Sequence, residues 1–302
     1  MKSIIIIIDY FGGQWPRWFP FYLESCRRNP DITWLIHTDC PVDSFNIKNV
    51  IFRSMTRAAY IRHVSERLQI NFAPADDYKL CDLKPTRGVL FEEEIRGYDF
   101  FGYGDIDVIY GDIRRFYTAE VLKNNVLSTS ATMIAGHLAL FRNSAWLRNA
   151  FRRVKDWRQV LEDSVYRHFD EDMLIEVFRY PAGLSPRQRF FYDLLRPRGI
   201  KYRHKLYLQE QFTTPLTPMR WRDGSAEHPT VWFWQNGRVT DRRQYGNEYI
   251  YLHFMNFKYG RYLAETYGDQ TFWDETGPVI DLAPADISRG FMIDRYGFHP
   301  LD

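Results

Sequence analysis

The chain has little cysteine, and the cysteines it has are poorly arranged for cross-linking. Its 302 residues include only Cys26, Cys40 and Cys81. An odd number without metal-ligand spacing argues against a disulfide framework and against a cysteine-based metal site. The chain is therefore expected to work in a reducing cytoplasm.

Long apolar runs and a strong charge of one sign are also missing. The isoleucine run after Lys2 ends at Asp9 and no small-residue cleavage site follows, which indicates a strand rather than a signal peptide. No stretch approaches the roughly 20 apolar residues that a membrane-spanning helix needs. The formal net charge of +2 gives no reason to expect a nucleic acid as partner.

What the sequence does contain is an alternation of strand and helix patterns. The unbroken isoleucines near the start are typical of a strand buried on both faces. The alternation predicts an α/β fold with a mainly parallel central sheet flanked by helices. Strands are predicted over 2–9, 31–39, 49–55 and 98–105, and helices over 17–30, 56–70 and 82–95.

The second half of the chain is predicted to complete the same unit. No linker or internal repeat interrupts the sequence, so we expect a single domain over 1–302 with a C-terminal β-rich, aromatic elaboration. Asn-Gly within "QNGR" predicts a hairpin turn, because both residues tolerate positive φ. The predicted elements are two strands within 125–143, helices over 144–161 and 170–180, and β-like segments from about 229.

Aspartates follow several predicted strands. Asp9, Asp39 and Asp105 each come at the end of one. In parallel sheets ligands collect at the carboxyl ends of the strands. Each aspartate alone is equally well explained as a helix cap or a turn residue.

The segment "FFGYGDIDVIYGD", residues 100–112, places Asp105 and Asp107 one residue apart in an apolar setting. Mg²⁺ and Mn²⁺ prefer carboxylate oxygens, so the pair is a candidate metal site. Ion pairs with Lys84, Arg114 or Arg115 explain the same pattern equally well. Spacing alone leaves both interpretations open.

This segment resembles the D-x-D motif of metal-dependent, nucleotide-sugar glycosyltransferases with the GT-A fold. "WPRWFPFYLESCRRNPDITWLIHTD" is similar to the first β–α–β unit of a poorly characterised bacterial polysaccharide-synthesis group within that fold. "YKLCDLKPTRGVLF", "AGHLALFRN" and "EYIYLHF" resemble its later segments in the same order. The resemblance implies a glycosyltransferase of the hexosyltransferase class, with 1–125 as the nucleotide-binding half and 126–302 as the acceptor-binding half.

The resemblance also implies the donor side of a site. The donor would be a nucleoside-diphosphate sugar, UDP-linked, and the cofactor Mn²⁺ or Mg²⁺. A divalent ion stabilises the negative charge that develops on the diphosphate leaving group. The implied residues are Asp107 and His253 as metal ligands, Asp105 facing both metal and ribose, Asp9, Tyr10 and Phe11 flanking the base, Asp39 near base or ribose, and Lys84 and Lys258 at the phosphates.

The acceptor side of the resemblance points to "HFDEDMLIEVF", residues 168–178. An inverting enzyme needs a carboxylate to take the proton of the acceptor hydroxyl. Asp170, Glu171 and Asp172 are the candidates, Asp170 being favoured as a helix cap and the other two as the base. His137 is predicted to contact the acceptor or donor sugar. The acceptor is expected to be a glycan hydroxyl, in a lipid-linked glycan of bacterial surface polysaccharide assembly.

The stretch 187–205 interleaves basic and aromatic residues. Such a surface suits anionic headgroups, which predicts peripheral contact with the inner face of the cell membrane. A solvated basic face explains it equally well. Two other functions stay open at this point, a haloacid-dehalogenase-like phosphatase with Asp105 as nucleophile and a non-catalytic glycan-binding protein.

Overall fold

The computed structural model describes residues 1–180, 183–195, 205–243, 247–258, 273 and 277–301. Within these residues the fold is built on a seven-stranded sheet of order β3-β2-β1-β4-β7-β6-β8. Its strands are β1 (Ile4–Tyr10), β2 (Ile32–Thr38), β3 (Val50–Ser54), β4 (Phe100–Gly104), β6 (Val126–Ser128), β7 (Leu138–Arg142) and β8 (Leu206–Leu208).

The first four of these strands are parallel, and β7 is antiparallel to β4. The predicted mixed α/β class with a parallel-rich central sheet is confirmed. The isoleucines of β1 are buried because the strand pairs with β2 on one side and β4 on the other. Ile5 and Ile7 enter the core on one face of the sheet, and Ile4, Ile6 and Ile8 enter the core on the other.

Helices in the described part of the chain complete the two layers around this sheet. Pro20 lies in the first turn of its helix, where its missing N–H costs nothing. The helices are α1 (Phe19–Arg27), α2 (Arg57–Leu68), α3 (Arg87–Leu90), α4 (Ile113–Phe116), α5 (Ala145–Arg148), α6 (Trp157–Glu162), α7 (Pro186–Leu195) and α8 (Met255–Lys258).

Three predicted helices were wrong in extent. The helix predicted over 82–95 is a 3₁₀ segment, Asp77–Thr86, that leads into the four residues of α3. Pro85 lacks a backbone N–H and so cannot join a regular α-helical ladder. The helix predicted over 144–161 is broken into α5, a 3₁₀ turn and α6, and that predicted over 170–180 begins with a π-helical turn, Phe169–Met173.

The C-terminal part forms a second, six-stranded sheet, as the β-like pattern predicts. Asn236 and Gly237 both have positive φ, 52° and 76°, and make the predicted hairpin turn between β9 (Val231–Gln235) and β10 (Arg238–Asp241). Trp221, Trp232 and Trp234 are buried in the core of this sheet. The strands are β9 (Val231–Gln235), β10 (Arg238–Asp241), β11 (Glu248–Tyr249), β13 (Val279–Ile280), β14 (Phe291–Asp294) and β15 (Gly297–His299).

A two-stranded ribbon brings this C-terminal part to the central sheet. β12 (Tyr251–His253) runs antiparallel to β5 (Val108–Tyr110), with His253 opposite Val108. His253 thereby reaches the segment that carries Asp107. Among the described residues, no helix has both the length and the apolar character to cross a membrane. The three cysteines are free thiols.

Candidate metal and anion site

The aspartate pair lies where the central sheet ends. β4 stops at Gly104, Asp105 follows it, and Asp107 immediately precedes β5. One ligand atom from each of Asp105, Asp107 and His253 lies within 4.8 Å of the others. The break between the two strands frees the carboxylates from the regular geometry of one strand and lets both face one point.

His253 is held in an orientation that suits a metal ligand. Its Nδ1 lies 3.0 Å from Thr214 Oγ1, and its Nε2 lies 3.6 Å from Asp107 Oδ1. With a metal ion bound, the tautomer that donates from Nδ1 to Thr214 would present the Nε2 lone pair to the ion. His137 stacks on the His253 ring at 4.3 Å between centroids.

His137 is fixed from its other side by Tyr251. Its Nδ1 makes a short hydrogen bond with the Tyr251 hydroxyl, which also lies 2.5 Å from Thr129 Oγ1. Burial lowers the pKa of His137 well below its usual value, and the neighbouring His253 and Lys84 lower it further. His137 is therefore neutral at pH 7 and lies against the metal-ligand group.

Lys258 pairs with the second aspartate. Its Nζ lies 2.8 Å from Asp107 Oδ2 and 5.2 Å from the centroid of the Trp18 ring. Burial alone would raise the pKa of Asp107, but Lys258 and His253 outweigh it and hold that pKa well below its usual range. Asp107 is consequently ionised at neutral pH, as a metal ligand must be.

Lys84 pairs with the first aspartate. The 3₁₀ segment Asp77–Thr86 carries it into the site, with Nζ 2.8 Å from Asp105 Oδ1 and 3.5 Å from Asp170 Oδ2. Burial lowers the pKa of Lys84, but Asp105 and Asp170 raise it well above its usual value. The ion pair between Asp105 and Lys84 is thus present, and it lies inside the candidate site. Arg115 instead pairs with Glu248, and Arg114 donates to backbone carbonyls.

Asp170 is a buried carboxyl and not the helix cap that the sequence favoured. The π-helical turn begins one residue earlier, and Tyr166 donates to Asp170 Oδ1 at 3.0 Å. Burial raises the pKa of Asp170 to about 7, Lys84 lowers it, and Glu171 raises it. Asp170 therefore takes up a proton near neutral pH.

Gly136 allows three charged groups to meet. A Cβ there would lie 2.8 Å from Asp170 Oδ2, 2.9 Å from Glu171 Oε1 and 3.2 Å from Lys84 Nζ. Only a residue without a side chain leaves that space open. Glu171 is half-buried and accepts from Gly136 N at 3.3 Å, whereas Asp172 is exposed.

Asp9 is occupied within the fold. Arg87 Nε donates to its Oδ2 at 2.7 Å, Tyr60 OH donates to the same oxygen at 2.5 Å, and His37 Nδ1 lies 3.2 Å from Oδ1. Burial would raise the pKa of Asp9, but Arg87 and His37 lower it to about 2. Asp9 therefore links β1 to α3. Its side chain is buried, and its contact with a nucleotide base stays a prediction.

The other residues predicted around the base lie in the loop after β1. Phe11 is buried against Tyr60, and Tyr10 is half-buried and stacks on Trp15. Asp39 Oδ1 accepts from Gly12 N at 3.1 Å and from Gly13 N at 2.9 Å, so it fixes the shape of this loop.

Several residues of this region were missed in the sequence. Arg87 and Thr214 carry no local signal, since each acts on a residue distant in the chain. Gly136 precedes the candidate His137, and a glycine next to a candidate ligand is a signal that spacing arguments can use. Tyr251 belongs to the predicted "EYIYLHF" segment.

The residues present fit a divalent ion with a phosphate ligand. Two carboxylates and one imidazole form a donor set that Mn²⁺ and Mg²⁺ accept, although three protein ligands leave coordination positions for other groups. The two lysines balance the two aspartate charges when nothing is bound. The fold and this group of residues define an α/β protein with a candidate metal and anion site.

A family model matches residues 6–280, so the chain belongs to DUF6625, a family of unknown function. No curated protein matches it in sequence.

Among solved structures, the chain is similar to three glycosyltransferases. For GlyE of Streptococcus pneumoniae TIGR4, identity is 10%, coverage is 70% of this chain and 45% of that chain, and the TM-score is 0.33. For TarS of S. aureus, identity is 11%, coverage is 56% of this chain and 33% of that chain, and the TM-score is 0.32. For mouse xyloside xylosyltransferase 1, identity is 12%, coverage is 74% of this chain and 90% of that chain, and the TM-score is 0.36. The chain thus spans less than half of the two bacterial structures.

Proposed function

We propose that this protein is a metal-dependent glycosyltransferase of the GT-A type. It would transfer a sugar from a nucleoside-diphosphate sugar, UDP-linked, to a glycan hydroxyl in bacterial surface polysaccharide assembly. The observation that carries the proposal is the grouping of Asp105, Asp107 and His253 within 4.8 Å, next to two buried lysines, where the central sheet ends.

The charges of this group suit a diphosphate. A divalent ion bound here would act as a Lewis acid on the charge that develops on the leaving diphosphate. Lys84 and Lys258 each lie 2.8 Å from a carboxylate oxygen. When the carboxylates turn to an ion, both ammonium groups become available to phosphate oxygens. We therefore expect the ion to bind weakly alone and more tightly together with a nucleotide.

The acceptor side is supported by Glu171. A general base must reach the acceptor hydroxyl, and Glu171 is half-buried while the Oδ2 of Asp170 is enclosed. Glu171 is our choice for the base of an inverting transfer. Asp170 would hold Lys84 in position. His137 is neutral and stacks on His253, and it would contact the sugar.

The first experiment measures cooperative binding. Mn²⁺ is titrated calorimetrically into the protein with and without UDP, using wild type, Asp107→Asn and the exposed loop variant Asp43→Asn. Wild type and Asp43→Asn should bind Mn²⁺ at least tenfold more tightly with UDP present, and Asp107→Asn should lose that gain. Equal binding by all three proteins would refute the metal role of Asp107.

The second experiment identifies the reaction. A thermal-shift panel of nucleotide sugars with Mn²⁺ selects the donor, because a bound ligand stabilises the native state. Transfer from that donor is then followed in wild type and Glu171→Gln, and the anomeric configuration of the product is read by NMR. Inverted product and a large loss in Glu171→Gln are expected. A covalent aspartyl-phosphate on Asp105 would instead identify a phosphatase.

A further inference from the structure

Helix α7 (Pro186–Leu195) buries none of its side chains against the rest of the described structure. Four large apolar side chains on it are mostly exposed. Phe190 is 65% exposed, Phe191 59%, Leu194 63% and Leu195 81%. Exposed apolar residues are ordinary when scattered, but a contiguous group marks an interaction surface.

These four residues share one face of the helix. Positions 190, 191, 194 and 195 are one, four and five residues apart, which is the spacing of a helical stripe. The half-buried side of the helix carries Asp193, whose Oδ2 accepts from Tyr180 OH at 2.7 Å. Arg189 stacks over the Tyr180 ring at 5.3 Å. The contacts to Tyr180 thus leave the apolar stripe turned outward.

A helix of ten residues needs more support than this. Isolated helices shorter than about 12 residues are marginal in water, and most helices are stabilised by burying an apolar face. Among the described residues, the polar side of α7 makes the intramolecular contacts and the apolar side makes none that bury it. Its stability therefore favours an environment that covers the Phe and Leu stripe.

The charge of the sequence that forms and follows the helix indicates the chemistry of that environment. Residues 187–205 contain seven Lys or Arg and one Asp, a net charge of +6. Residues 196–204 lie outside the described residues, so their charges are counted from the sequence alone. Two copies meeting through this face would bring like charges together, whereas an anionic surface would complement them.

A separate basic cleft includes Lys205, the last residue of this run. Lys205 lines an open cleft of about 760 Å³ together with Lys2, Arg114, Lys123 and Arg142, and Asp99 is the acidic residue there. Arg142 is held by Asn125 and by backbone carbonyls, and Arg114 also donates to carbonyl oxygens. Neither guanidinium makes a hydrogen bond to a carboxylate there, whereas Lys2 pairs with Asp99 and Lys123 with Glu120.

We propose that α7 lies in the headgroup region of a membrane rich in anionic phospholipid, with the Phe190, Phe191, Leu194 and Leu195 stripe inserted and the basic residues at the phosphates. Short amphipathic helices with basic flanks bind such interfaces through apolar burial and electrostatic attraction together. This binding does not depend on sugar transfer, and its test does not use activity.

The test is cosedimentation with lipid vesicles. Wild type is mixed with vesicles of phosphatidylcholine alone or with added phosphatidylglycerol, and compared with the fourfold variant Phe190→Ser, Phe191→Ser, Leu194→Ser, Leu195→Ser. The matched control is Val165→Ser with Met219→Ser, two other exposed apolar residues. Circular dichroism checks that each variant is folded. Wild type and control should bind the anionic vesicles, and the fourfold variant should fall to the level seen with phosphatidylcholine.

The charge part is tested separately. Arg187→Gln should weaken binding to anionic vesicles roughly fivefold at low salt. Arg96→Gln, an exposed arginine elsewhere, should not. Equal binding of wild type to both kinds of vesicle, no binding to either, or full binding by the fourfold variant would overturn the proposal. A dimer in sedimentation analysis that the fourfold variant abolishes would assign the stripe to a second copy instead.

Discussion

Two groups of carboxylates and cations lie at the same end of the central sheet and differ in their access to solvent. In the first, Asp9 on β1 meets Arg87, and the aspartate side chain is 0% exposed. In the second, Asp105 after the neighbouring strand β4 meets Lys84, and the aspartate side chain is 28% exposed. Both pairs join acid and base at under 3 Å.

The Asp9 group stabilises the fold, whereas the Asp105 group belongs to the candidate site. Asp9 has its Oδ2 occupied by Arg87 and Tyr60, and Arg87 also donates to Ile7 O at 2.8 Å, so this group ties α3 to β1. Asp105 has one cation partner that it shares with Asp170. When a ligand displaces that shared cation from Asp105, the buried Lys84 keeps Asp170 as a partner. Residue type alone does not distinguish the two aspartates, but their burial does.

The largest expected effect is the difference in stability loss between the same substitution at Asp9 and at Asp105. Asp9→Asn breaks a buried ion pair and should lower the free energy of unfolding by about 3–5 kcal/mol. Asp105→Asn removes a charge that is 28% exposed and leaves the buried Lys84 paired with Asp170, so the loss should be clearly smaller than in Asp9→Asn. Urea denaturation in the absence of divalent ions measures both. Similar losses in the two variants would show that Asp105 contributes to the fold as strongly as Asp9 does.

A second prediction uses pH and concerns Asp170. Its pKa is raised from 3.8 to about 7 in the folded protein, so its stabilising contribution is present below about pH 4 and is lost as the pH rises through 7. The loss amounts to about 1.4 kcal/mol for each unit of that shift at most. Asp9 has the opposite sign, because its pKa falls from 3.8 to about 2 and its contribution is lost only as the pH drops through that range.

Asp170→Asn should therefore flatten the decline in stability between about pH 4 and pH 7. Urea denaturation across this range, with a chelator present, measures the slope. The exposed neighbour Asp172→Asn serves as the matched control and should keep the wild-type profile. An unchanged slope in Asp170→Asn would show that another group is responsible.

The smallest effect is expected from Thr214→Val. Thr214 Oγ1 lies 3.0 Å from His253 Nδ1 and orients the imidazole. Loss of such a partner to a metal ligand costs about tenfold or more in metal affinity. Mn²⁺ titration with UDP present measures it, and Thr240→Val on β10 is the control. An affinity equal to wild type would mean that His253 is oriented by its stacking on His137 instead.

The sequence allowed most of the central sheet to be predicted, because period and burial are local signals. The isoleucines of β1 and the apolar spacing of α2 describe their elements correctly. The 3₁₀ segment that carries Lys84 into the site was not predicted, since it follows from Pro85 and from packing rather than from period. The cation partners of Asp9 and Asp170, Arg87 and Lys84, are 78 and 86 residues away in the chain, and no pattern of spacing links them.

The pairing of β12 with β5 has a consequence for when the site is assembled. His253 and Lys258 come from a segment about 150 residues after Asp105 and Asp107 in the chain, and they arrive only when β12 docks on β5. A nascent chain that has formed the sheet through β8 lacks both. We therefore expect the protein to bind the ion and nucleotide only after β12 has paired with β5, so that binding reports that the C-terminal ribbon has folded.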